Sequence, residues 1–166
     1  MSLDKLIPFA HLDRYRGGIL AHGCFDLLHI GHLRYFRWAR SLKADVPLVV
    51  TITDDEHFPN YKGPGRPAFD ELTRAEWICY VGVVDAVAIV RAVTAIPAIL
   101  AMEPAIYAKG REAEGMIPHE EQAAKDVGAR VCFMPRDNEM YVQRYGSGRI
   151  LSGQYLQERI EECAIG

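Results

Sequence analysis

Ala21-His22-Gly23-Cys24-Phe25-Asp26-Leu27-Leu28-His29-Ile30-Gly31-His32 decides how this chain is read. An apolar run over residues 18–21 enters the stretch, a polar turn fills its middle and an amphipathic segment leaves it, so the order is strand, turn, helix. Leu33, Phe36, Trp38 and Ala39 supply a rough helical apolar period, with Arg34, Arg37 and Arg40 on the polar side. Unpaired amides at a helix start attract anions, and the helix dipole adds to that attraction. Gly23 and Gly31 leave room for a ligand to approach the backbone. His29 and His32, three apart, face one side if both lie on helical backbone, where two imidazoles can serve one polyphosphate. Spacing alone equally fits a capping histidine and a surface histidine in an ordinary strand-helix unit.

Composition sets bounds around that stretch. The 166 residues suit a single domain, expected over 1–166, and an apolar share of 49% with 25% charged excludes disorder and fibrous repeats. A net charge of −3 argues against a nucleic-acid surface while leaving room for a local basic pocket. Cys24, Cys79, Cys132 and Cys163 lie far apart with no Cys-x-x-Cys pair, which points to thiols in a reducing compartment and not to zinc or a redox centre. No leader-like apolar core and no 18-residue uncharged apolar segment is present, so a cytoplasmic protein without membrane insertion is expected.

The remaining segments alternate. Residues 1–16 read as a short helix against a sheet edge. Strands are expected over 18–22, 46–53, 85–90, 105–108 and 129–134, and helices over 31–40, 71–81, 98–102 and 119–128, with Asp70 as an N-cap and Leu72, Trp77, Ile78 and Val81 on one apolar side. This alternation predicts an α/β fold with a mostly parallel five-stranded sheet flanked by helices, and ligand at the carboxyl ends of its strands. Glu56 to Pro67 reads as a loop whose Lys62 and Arg66 can carry positive charge over a phosphate, or as a solvated surface loop. His119, Glu120 and Glu121 read as a solvated helix face. After a turn at residues 135–138, residues 146–150 form a second glycine-lined helix entrance, leading to a helix ending near Cys163.

Gly-x-Phe-Asp-x-x-His-x-Gly-His over residues 23–32 closely resembles the signature of the cytidylyltransferase-like nucleotidyltransferases, which have a Rossmann-like fold. Lys62-Gly63-Pro64-Gly65-Arg66-Pro67, Arg74-Ala75-Glu76, Lys109-Gly110 and Ser147-Gly148-Arg149-Ile150 extend the resemblance over most of the chain. The resemblance implies transfer of a nucleoside monophosphate from ATP or CTP to a phosphorylated sugar or small polyol, with release of pyrophosphate and with Mg2+ accompanying the triphosphate. His29, His32 and Lys62 are then the catalytic candidates. Gly23, Cys24, Phe25, Asp26, Gly31, Arg74, Lys109, Gly110 and Ser147 are the nucleotide-binding candidates, Asp26 also as an indirect aid to the metal. Two departures bear on the acceptor: Arg111 and Glu112 stand where the family usually has glycine and aspartate, and Gly148 replaces a hydroxyl residue. Arg66, Arg111, Glu112 and Arg149 are therefore acceptor candidates. No dedicated protein metal site is expected, and a homodimer is a family expectation. The string looks most like heptose-phosphate adenylyltransferases, then glycerol-phosphate cytidylyltransferases. A silent nucleotide-binding or assembly module is the reading from another class.

Overall fold

The computed structural model describes residues 2–58, 62–63 and 65–135. Five strands, β1 (Ile19–Gly23), β2 (Leu48–Thr53), β3 (Ala86–Val90), β4 (Ile106–Lys109) and β5 (Arg130–Phe133), form one sheet in the order β3-β2-β1-β4-β5. All four pairings are parallel, with Ile19 opposite both Leu48 and Ile106. Parallel neighbours need crossovers, and helices α1 (Ile30–Ser41), α2 (Glu71–Cys79), α3 (Ile96–Met102) and α4 (Pro118–Asp126) supply them. The chain winds from β1 to β3 on one side and returns to β4 and β5 on the other. The reversal beside β1 opens the crevice in which such sheets hold ligands.

Strand periodicity builds both faces. Ile19, Ala21, Leu48, Val50 and Ile52 point to a core shared with Tyr35, Phe36 and Ala39 of α1 and with Ala75 and Ile78 of α2. Leu20, Val49, Ala86 and Ala88 point the other way, toward Ile99 and Met102 of α3 and Ala123 and Ala124 of α4. With helices over both faces, β2 is buried at all six positions, which is why it reads as a continuous apolar run instead of an alternating one.

Several boundaries differ from the sequence expectation. β2 begins at Leu48, after Pro47, because a proline has no N–H for the ladder. α3 begins at Ile96, ahead of Pro97, which sits in the first turn where its missing N–H costs nothing. α2 ends at Cys79, and Leu72 is 61% exposed; that helix buries Arg74, Ala75, Ile78 and Cys79. Asp70 caps α2 as expected, accepting from the Thr73 amide at 2.8 Å. The N-terminal segment forms two short 3-10 turns, Ser2–Lys5 and Phe9–Tyr15. Between them Leu6 pairs in parallel with Val87, and the Ile7 amide donates to the Val87 carbonyl at 2.8 Å, so this segment lies on the outer edge of β3. Among the described residues, no helix is long and apolar enough to cross a membrane.

Candidate active site

The site forms at the carboxyl ends of β1 and β4, and its first element is the histidine pair. His29 is the N-cap of α1, with extended backbone (φ −139°, ψ 171°), and its Nδ1 accepts from the Gly31 amide at 3.1 Å. The pair therefore does not share a helical face, as the spacing rule required. Their rings meet nonetheless, stacked with centroids 3.8 Å apart and planes at 27°. Burial depresses both imidazoles, His29 to about 4 and His32 well below its ordinary value; the charges of His29 and Lys62 push His32 the same way, against a hydrogen bond to the Leu27 backbone. Both rings are neutral near pH 7. Since His29 Nδ1 accepts, its proton sits on Nε2, which is thereby a donor. His32 Nδ1 is buried and has no hydrogen-bond partner among the described residues.

The turn feeding this pair is held from below. Phe25 adopts a left-handed backbone (φ 45°) and lays its ring over Gly23, where a Cβ would meet ring atoms at 3.0, 3.2 and 3.4 Å. Gly23 is thus required by Phe25 packing, beyond any need of a ligand. The same ring meets His32 edge-on at 5.1 Å and packs on Tyr35 and Phe36, linking the turn to α1. Asp26, 4% exposed, faces inward: one oxygen accepts from the Ala68 amide at 2.6 Å, and the other lies 2.7 Å from Arg66 Nη1, at an angle short of a hydrogen bond. Asp26 and Arg66, one expected to contact the nucleotide and the other the acceptor, pin the long loop to the turn. Both carboxylate oxygens of Asp26 are engaged by protein, which leaves it poorly suited to assist a metal.

Arg74 is fully buried. Its Nε donates to the Phe69 carbonyl at 3.0 Å, one terminal nitrogen to the Cys24 carbonyl at 2.6 Å and the other to Asp55 at 2.6 Å. Asp55 and Glu71 exchange backbone-to-carboxylate bonds at 2.9 and 3.1 Å, so one arginine joins the β1 turn, the loop after β2 and the start of α2. Cys24 is half-buried, and burial raises its thiol despite the nearby charge of Lys62 and a hydrogen bond with Thr53. Lys62 is exposed, and its charge bears on both Cys24 and His32.

At β4, Lys109 donates to the His22 carbonyl at 3.4 Å and lies 3.7 Å from Glu120. Glu120 corrects the expectation of a solvated helix face: it is 6% exposed and accepts from the Ala95 amide at 2.9 Å and from the Tyr107 hydroxyl at 2.6 Å. Its neighbours in sequence are charged or polar, so only the tertiary placement of α4 over β4 reveals it. Arg111 pairs with Glu114 at 2.8 Å across the short 3-10 turn Arg111–Ala113. The Glu112 carboxylate folds over Gly110 and fills the position a Cβ would take there.

Sequence reasoning also missed His22 and Tyr35. His22 is 6% exposed, its ring bonded to Thr51 at 3.0 Å and Thr53 at 3.4 Å, and burial lowers it to about 3. Tyr35 donates to the Ala108 carbonyl at 2.8 Å, tying α1 to the end of β4. Their alternation with apolar neighbours gave them the look of core or surface positions. Asp54, Glu56 and His57 bring one ligand atom each within 4.8 Å of one another after β2, with Asp54 bonded to the His57 ring at 2.8 Å. Ser147, Gly148 and Arg149, with the helix entrance expected over 146–150 and the helix expected to end near Cys163, lie outside the described residues.

The profile of the cytidylyltransferase-like family matches residues 20–138, which takes in the histidine turn, Lys62, Arg74 and Lys109. The chain belongs to the cytidylyltransferase-like family. Among relatives of this cytidylyltransferase-like chain is the bifunctional protein HldE of Geobacter metallireducens, 33% identical over 134 residues that cover 78% of this chain and 26% of HldE. The chain thus spans about a quarter of the curated relatives it matches. Among solved structures, a lipopolysaccharide core biosynthesis protein from Thermoplasma volcanium superposes with a TM-score of 0.57 at 25% identity, over 70% of this chain and 93% of that one. A pantoate-beta-alanine ligase from Francisella tularensis, at 12% identity and TM-score 0.55 over 78% of this chain and 66% of that one, shares the fold alone.

Proposed function

We propose that this chain transfers a nucleoside monophosphate from a nucleoside triphosphate to a phosphorylated sugar or small polyol, as an adenylyltransferase of heptose-phosphate type. One observation carries the assignment: two stacked, neutral imidazoles stand at the start of α1, beside the sheet's switch point. The likeness to a lipopolysaccharide core biosynthesis protein of Thermoplasma and to HldE supports a sugar phosphate as acceptor.

In this reading an acceptor phosphate oxygen attacks the α-phosphorus, the bond to the bridging oxygen breaks, and pyrophosphate leaves with the electron pair. No covalent intermediate with the protein is needed. The protein aligns the attacking and leaving oxygens and stabilises the charge that builds on them. His29 Nε2–H, fixed by the Gly31 amide on its other nitrogen, is one pre-aimed donor, and His32 is the second. An arriving phosphate anion also favours the charged imidazole, so binding itself strengthens these contacts. Lys62 adds positive charge from the loop after β2 and Lys109 from the end of β4. Magnesium enters as part of the triphosphate substrate. Arg74 acts by holding the Cys24 carbonyl and hence the turn.

The test is a pyrophosphate-release screen crossing ATP, CTP, GTP and UTP with phosphorylated sugars and polyols. Release with ATP and a heptose phosphate is the expected result. Release with CTP and glycerol phosphate would redirect the assignment to a cytidylyltransferase, and triphosphate binding with no release from any pair would indicate a silent module. His29→Ala and His32→Ala should each lower kcat/KM on the order of 10²- to 10³-fold, the cost of one donor in a transition-state site. Near-normal values in both variants would sink the assignment.

A further inference from the structure

Glu120 and Lys109 form a buried charge pair of unusual construction. The carboxylate is fixed without the lysine: Oε1 takes the Ala95 N–H at 2.9 Å and Oε2 the Tyr107 O–H at 2.6 Å. The ammonium, by contrast, is held loosely. It lies 3.7 Å from Glu120 Oε2, 3.4 Å from the His22 carbonyl and 5.7 Å from the centre of the Tyr107 ring, all longer than a well-formed charged hydrogen bond. Both side chains are nearly closed to solvent, at 13% exposure for Lys109 and 7% for Glu120. A buried ammonium with no counter-charge is costly, so the lysine needs this carboxylate while no anion is bound. Among the described residues, Glu120 is the carboxylate within 4.0 Å of the ammonium, while the Glu112 carboxylate folds over Gly110 beyond that range. The His22 ring is neutral, lowered to about 3 by burial and then by Lys109 itself, and burial keeps the Cys24 thiol protonated.

We propose that Glu120 is a positioning residue: it parks the Lys109 ammonium at the carboxyl end of the sheet as a fixed counter-charge, from which a nucleotide phosphate takes it over. The inference rests on the reading of Lys109 as a phosphate ligand. Because the carboxylate is anchored from α3 and from β4, it cannot follow the lysine, and the lysine exchanges one anion for another. Glu120 therefore competes with the bound nucleotide for Lys109. It keeps the empty site charged and ordered at the expense of ground-state triphosphate affinity.

Two variants test this with opposite signs. Glu120→Gln keeps the side-chain shape and an acceptor for the Ala95 amide but removes the competing charge. Tyr107→Phe removes the hydroxyl from Oε2 and frees that oxygen to bond Lys109 closely. Dissociation constants for ATP and CTP, each with magnesium and without acceptor, are measured by titration calorimetry on the full chain, with thermal melting to check folding. The expected result is tighter binding in Glu120→Gln, roughly threefold or more, and weaker binding in Tyr107→Phe, roughly twofold or more, as removing or approaching a unit charge at this range implies. A purely structural role would weaken both or move neither. Unchanged or weaker binding in a folded Glu120→Gln overturns the proposal. Should that variant fail to fold, unchanged or tighter binding in Tyr107→Phe overturns it. Lys109→Met separates the underlying reading: if its triphosphate affinity equals that of the wild type, the phosphate role of Lys109 fails and the proposal falls with it. If Lys109→Met binds weakly while the other two variants match the wild type, only the proposal falls. A wild type that binds neither nucleotide overturns both.

Discussion

Arg74→Lys separates two roles that one arginine can play. The family resemblance gives Arg74 a contact with the triphosphate, whereas the structure encloses it completely and bonds all three guanidinium nitrogens to Phe69, Cys24 and Asp55. A lysine keeps the charge and most of the length, but one ammonium cannot reach three acceptors that a planar fork meets in different directions. Phe69 and Asp55, both exposed, regain water, so little of the loss comes from them. The half-buried Cys24 carbonyl does not. A buried acceptor left without its donor costs about 1–3 kcal/mol, and that is the destabilisation expected for Arg74→Lys. Urea unfolding followed by circular dichroism measures it. Steady-state kinetics on the same protein should show kcat lowered through the displaced β1 turn. The architectural role would be refuted by a variant within about 0.5 kcal/mol of wild type whose KM for triphosphate alone rises.

Three further outcomes follow from other contacts. Gly23→Ala forces a methyl to within 3.0 Å of the Phe25 ring, which is itself packed on His32, and should cost about 1–3 kcal/mol together with a fall in kcat; stability and turnover equal to wild type would contradict it. Tyr35→Phe leaves the Ala108 carbonyl without its donor and should lower stability by about 1–2 kcal/mol in thermal or urea unfolding. For pH, a histidine whose folded pKa lies below its unfolded value contributes nothing above the unfolded pKa. As pH falls below about 6.5, the unfolded chain takes up a proton that the folded chain refuses, so stability drops until the folded pKa is reached. His22, at about 3 when folded, should therefore cost on the order of 2 kcal/mol between pH 6.5 and 5, and His22→Gln should flatten the slope of unfolding free energy over that window.

The sheet was legible because its signal is local. Val49, Val50 and Ile52 announce a strand wherever they occur, and Asp70 three residues before Thr73 announces a helix start. The histidine turn was legible as a motif, since its residues are contiguous. What escaped were side chains whose meaning is set by distant partners. Glu120 looks like any charged residue beside Glu121 until α4 is laid over Tyr107, and Arg74 looks like a surface residue beside Glu76 until the β1 turn comes within reach. The expected shared helical face of His29 and His32 failed for a related reason. A capping histidine leaves the helix to bond the Gly31 amide, and the rings stack from different backbone conformations.

Leu6 and Ile7 bear on how the protein is handled outside any question of catalysis. By pairing with Val87 they occupy hydrogen-bonding positions on the outer side of β3, where an uncovered strand would offer a template to another chain. Lys5 fastens the same segment, donating to the Val81 carbonyl at 3.1 Å. Trimming the chain back to Phe9 would leave catalytic groups untouched yet uncover a sticky apolar margin, so loss of solubility and concentration-dependent self-association would precede any loss of chemistry. A purification tag joined rigidly to the first residues carries the same hazard, and a flexible spacer ahead of Ser2 avoids it.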